Sequence, residues 1–172
     1  MKYRLFIILT LLTTFAGCYF WSPAILSPEC RKFFDLPLRE QEQLFRTYSV
    51  DKQVDLYLCG MNREPPETAY AAYIAEGGEK NIPYLLQRLK AERLEMVQTE
   101  IIDIFTVMAI KGQLRGREDV IAELEEVVAK MKYGPVKLIA QKYLEDIKKT
   151  HNVFRISAEV DATTSCVLVL TL

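Results

Sequence analysis

The chain has very little with which to build a catalytic or metal centre. Histidine occurs once, at His151. Any Ser–His–Asp or Cys–His arrangement would have to run through it, and nothing in the sequence sets a nucleophile nearby. No Cys-x-x-Cys, His-Glu-x-x-His, Gly-x-Ser-x-Gly or glycine-rich phosphate loop occurs. An excess of charge is missing too: 22 Lys and Arg face 23 Asp and Glu, a net −1, so no basic field recommends nucleic acid as a partner. The sequence therefore nominates no catalytic residue, no cofactor and no metal ligand. His151 follows the last predicted helix, where a histidine commonly serves the helix end.

Apolar residues, by contrast, are abundant, at 50% of 172 residues. That length suffices for one domain with a real core. Much of the excess lies at the two ends. Lys2 and Arg4 form a positive head, Leu5 to Ala16 an apolar run, and Phe15-Ala16-Gly17-Cys18 follows. This tetrad resembles the lipobox of bacterial lipoproteins, with Phe15 in the usual aliphatic position. The resemblance implies that Cys18 receives a diacylglyceryl group, that the Gly17–Cys18 bond is cut, and that the new amine is acylated. Several acyl chains on one residue anchor stably, because each buried CH₂ contributes roughly 0.8 kcal/mol.

The alternative is an uncleaved anchor: Leu5 to Trp21 is about 17 residues, the lower limit for a spanning helix. Tyr19, Phe20 and Trp21 would then form an interfacial belt. Both readings leave everything beyond residue 22 outside the cytoplasmic membrane. Tyr19 stands where an inner-membrane retention signal would carry Asp, which points to the outer membrane if the cell has one. Residues 1–17 are thus read as signal peptide and 18–28 as tether.

Residues 29–150 read as helical. Pro37 to Tyr48, Val50 to Gly60 (with Ser49 as cap) and Glu67 to Glu76 form a first block, stopped by Gly77-Gly78. Beyond it come four amphipathic segments. Asn81 is a suitable N-cap, and Ile82, Leu85, Leu86 and Leu89 make one stripe. Leu94, Val97, Ile101, Ile104, Phe105 and Met108 make the second, ended by Gly112. Val120, Ile121, Leu124, Val127, Val128 and Met131 make the third. After Gly134-Pro135, the fourth is Val136, Ile139, Ala140, Tyr143, Leu144 and Ile147.

The second pair of stripes repeats the first after about 40 residues, the period of stacked helix pairs. With Gly134–Ile147 reading GPVKLIAQKYLEDI and Ala140 at a close-packed position, the segment resembles the HEAT-repeat family. The resemblance implies an all-α fold of stacked antiparallel helix pairs, with the first block capping the stack.

Three cysteines remain beyond the signal. Cys30 and Cys59 bracket the first block, and an oxidising compartment would let them pair; the alternative is two small buried hydrophobes. Cys166 lies in an apolar run and is expected to be buried. Phe154, Ile156, Ala158 and Val160 alternate with polar residues, and Cys166 to Leu172 is apolar and rich in β-branched residues. Residues 151–172 are therefore expected to form a short β-like tail folded back on the domain.

Two acidic groups, Glu92/Glu95/Glu100 and Glu123/Glu125/Glu126, are expected on polar helix faces, paired with neighbours such as Lys90, Arg93 and Lys130. The loop Lys111–Arg117, KGQLRGR, offers Lys111, Arg115 and Arg117 as possible partner contacts; the competing use is to serve a helix C-terminus. Tyr48, Tyr57, Tyr70, Tyr73 and Tyr84 suit either a binding surface or a core. The expectation is a membrane-anchored envelope lipoprotein, held by lipid on Cys18, that acts without catalysis as an interaction or scaffold module for a protein or peptide. A hydrolase using paired carboxylates and an inhibitor or immunity-type lipoprotein are the alternatives.

Overall fold

The computed structural model describes the backbone of residues 27–63 and 65–169, and side chains as far as Val153. The expected signal segment, Cys18 and the side chain of Cys166 lie outside these residues. Among the described residues every regular element is helical. In chain order they are α1 (Pro28–Phe34), α2 (Leu38–Thr47), α3 (Val50–Met61), α4 (Tyr70–Ala75), a 3₁₀ turn (Gly78–Asn81), α5 (Ile82–Ala91), α6 (Glu95–Ile110), α7 (Glu118–Lys130) and α8 (Gly134–Val169).

Helix α6 is the centre. Ile101, Ile102, Ile104, Phe105 and Met108 are all fully buried. They span more than half of the helix circumference, so α6 must be covered from several sides, with one open stripe through Met96, Glu100, Asp103, Val107 and Ile110. It packs against α3, α4, α5 and α8, while α7 packs against α5 and α8. The expected stripes enter one shared core: Ile82, Leu85 and Leu89 from α5, Val120 and Leu124 from α7, and Ala140 and Ile147 from α8 are buried together. Two stripe members stay outside. Leu94 is 65% exposed, because it precedes α6 in an extended conformation. Ile139 is 45% exposed; α8 turns Val136, Ala140, Leu144 and Ile147 inward, and Ile139 lies about 100° round the helix from Ala140.

Two local expectations are corrected. Asn81 does not cap α5: its backbone is helical, and its buried side chain donates to the Ile74 carbonyl at 2.9 Å, tying the end of α4 to the start of α5. The β-like tail expected over residues 151–172 is helix as far as Val169. An established helix elongates without a new nucleation step, whereas an isolated two-stranded hairpin is marginal in water.

The turns of the two helix pairs are joined by one side chain. The Glu95 carboxylate accepts hydrogen bonds from the backbone N–H groups of Lys132 (2.7 Å) and Tyr133 (2.8 Å). These bonds favour the ionised form and hold its carboxyl below the usual carboxylate range. Ion pairs lace the outer faces: Lys90 with Glu123, Lys148 with Glu125, and Arg88 with Asp55.

The first block is aromatic. Phe33, Phe34, Phe45, Tyr70 and Tyr73 meet at centroid distances of 4.6 to 6.2 Å in tilted or edge-on pairs. The buried Gln41 amide donates to the Leu36 carbonyl (2.6 Å) and accepts from the Tyr70 hydroxyl (2.7 Å). Cys30 and Cys59 form a disulfide between α1 and α3, with Cα atoms 6.4 Å apart and a sequence separation of 29. Closing a loop of that length is expected to contribute about 3.6 kcal/mol in the chain-entropy model. Urea unfolding of the oxidised chain against a Cys30→Ser, Cys59→Ser form should show that difference in the extrapolated free energy.

Candidate functional site

The basic loop between α6 and α7 is engaged by its own chain. Lys111 donates through Nζ to the Ala72 carbonyl (3.0 Å), in the last turn of α4. Arg117 places its guanidinium on both oxygens of Asp119 (2.9 and 2.7 Å), which holds the Asp119 carboxyl down at about 2. Leu114 is buried between them, and Gly112 and Gly116 supply the positive-φ turns the loop needs. Arg115 is exposed. Lys111 and Arg117 thus serve different partners within the chain.

Five of the six glutamates singled out in the sequence serve surface contacts. Glu123, Glu125 and Glu126 pair with Lys90, Lys148 and Lys130. Glu92 lies near Arg88 and accepts from the backbone N–H of Arg93, and Glu95 grips the 132–133 turn. Glu100 departs from the expectation of a solvated face. It sits one turn from Asp103 on α6, and both residues are half-buried. The Tyr57 hydroxyl, from α3, donates to Asp103 Oδ2 at 2.9 Å, while Glu100 Oε2 is buried without a hydrogen-bond partner.

The electrostatics follow from that placement. Burial, with the charge of Asp103 added, pushes the Glu100 carboxyl up to about 7, against a smaller downward pull from the Tyr57 hydrogen bond. Burial also raises Asp103, again opposed by Tyr57. The Tyr57 phenol is raised by desolvation and then by the two acids, and burial and the same acids raise Tyr143 of α8. Sequence reasoning missed this group, although the signal existed. Glu100 and Asp103 share the one open stripe of α6 with Met96, Val107 and Ile110, so their neighbours along that face are apolar.

His151 is also buried, with Nε2 3.7 Å from Glu118 at the start of α7, rather than in solvent. Of the five tyrosines, Tyr57 and Tyr70 are core residues, and Tyr48, Tyr73 and Tyr84 pack partly buried against that core. Among the described residues no group of three or more His, Cys, Asp or Glu stands ready for a metal ion. No described helix is long and apolar enough to cross a membrane.

A separate open cleft of about 460 Å³ lies where α5, α6 and α7 meet, lined by Lys90, Arg93, Glu95, Gln98, Glu126 and Lys130 over Val127 and Met131. Leu94, next to Glu95, is exposed, and so is Tyr133 (60%), whose N–H Glu95 holds. No protein-family model, curated protein or solved structure matches the chain.

Tyr57→Phe tests the polar seam between α3 and α6. Removing the only hydroxyl seen to donate to Asp103 should cost about 1–3 kcal/mol of stability, the usual penalty for a covered polar group losing its partner. Chemical denaturation measures it. The same change should move the Asp103 carboxyl further up, since the Tyr57 bond is what holds it down.

Proposed function

We propose that this chain is an extracytoplasmic lipoprotein, anchored through lipid on Cys18, whose HEAT-like stack of helix pairs holds a protein or peptide partner without catalysis. Three features support the reading. The lipobox-like tetrad Phe15–Cys18 precedes the domain, and a disulfide between Cys30 and Cys59 suits an oxidising compartment. Helix α6 lies between α4 and α8 while α5 lies on α7, the neighbour relations expected of stacked pairs in which α1–α4 cover one end.

The observation that carries the binding role is the surface where the turns of both pairs meet. Exposed Leu94 and Tyr133 flank a cleft that combines cationic, anionic and apolar lining. Aromatic and aliphatic side chains beside charged ones are the usual composition of a contact surface. A hydrolase reading has one observation in its favour, the half-buried Glu100–Asp103 pair. Neither acid lines the cleft, and Asp103 is already engaged by Tyr57, so the binding reading is preferred.

The test is done in intact cells. A photo-crosslinking residue at Tyr133 should capture a discrete partner, and the same residue at Arg39 should not. Equal capture at both positions, or at neither, would remove the proposed surface. Cys18→Ala should abolish incorporation of labelled fatty acid and move the chain out of the membrane fraction. Unchanged labelling would reject the anchor.

A further inference from the structure

The Glu100–Asp103 pair is an unusual thing to bury even halfway. Two acids one helical turn apart face Tyr57 from α3 and Tyr143 from α8, at the seams α6 makes with those helices. The groups coupled to the pair are Tyr57 and Tyr143; neither is a cation, and neither belongs to α4 or α5. One hydroxyl donates to Asp103, and Glu100 Oε2 has no hydrogen-bond partner. Two half-buried carboxylates, one of them with an oxygen that is covered and unpartnered, ionise together only against mutual repulsion and a partly unmet need for hydration.

We infer that this pair makes the seams of α6 with α3 and α8 a proton-operated joint, closed while the pair retains a proton and loosened once both acids are charged. The direction comes from proton counting. Within the closed seam Glu100 keeps its proton up to about pH 7, while an opened or unfolded seam returns it to water and releases the proton in the ordinary glutamate range. Between those two values the closed form binds more protons than the open form. Its stability therefore falls steadily as pH rises through that window and levels off above it. Below the ordinary range both forms are protonated and the closed form has its full advantage. The inference is independent of where the protein resides or what it binds.

Hydrogen exchange of the full oxidised chain, corrected for intrinsic rates, tests it at about pH 5 and about pH 8.5. In the unmodified chain, amides of residues 50–61 and 134–151 should open at least about tenfold more at the higher pH, with α2 unaffected. Glu100→Gln keeps the shape and removes the charge, and should shrink the difference to about twofold or less. Glu125→Gln, at a surface ion pair, should retain it. Equal protection of the unmodified chain at both pH values would overturn the inference, as would a full difference surviving in Glu100→Gln. Should that variant fail to fold, infrared titration of the unmodified chain with isotopically labelled glutamate decides. A carboxyl titrating near neutrality supports the joint, and all carboxyls titrating in the ordinary range reject it.

Discussion

The constraint on which the fold depends is that more than half of the circumference of α6 is apolar and buried. A helix with isoleucines at 101, 102 and 104 and Phe105 beside them needs cover on several sides. Helices α3, α4, α5 and α8 supply it. At roughly 25 cal/mol per Å² of apolar surface removed from water, this one helix commands a large part of the burial energy, and the other helices are arranged as its cover. The covering has a side effect: the acids that α6 carries on its flank are half-buried as well.

The helices and their shared core were largely legible from the sequence because both depend on period and punctuation. Ile82, Leu85, Leu86 and Leu89 are spaced for one face and are buried on one face. Gly112 was expected to end α6 and adopts the positive φ that such a stop requires. What was illegible depends on which of two plausible partners a group finds. Asn81 could cap its own helix or reach back to Ile74, and a local pattern does not reveal the distant carbonyl. Residues 154–160 alternate as a strand does, but the backbone before them is already helical and no second strand is at hand among the described residues. The carboxylates divided in the same way. Those on α7 have lysines within reach, whereas Glu100 shares a narrow stripe of α6 with apolar residues, which only a whole-helix view of its composition brings out.

The first block solves a different problem. Its helices are short, with α1 of 7 residues and α4 of 6, and helices of that length have little stability of their own. Their order comes from outside each helix: a packed set of rings, the buried Gln41 between Leu36 and Tyr70, the Asn81 tie, and a covalent link from α1 to α3. Arg46 adds a contact from α2 to the end of α4 by pairing with Glu76 while stacking 4.3 Å over the Tyr73 ring. This block is held by specific contacts, whereas the second half is held mainly by continuous apolar stripes.

The grip of Glu95 on the neighbouring turn has a consequence for how the protein can change over evolutionary time. It closes on main-chain N–H groups at 132 and 133, so it reads the path of the backbone and ignores the side chains hung on it. Almost any residue except proline, which has no N–H, can occupy those two positions without loosening it. The turn is thus free to diversify its chemistry toward the outside while Glu95 fixes its position relative to the adjoining helix pair.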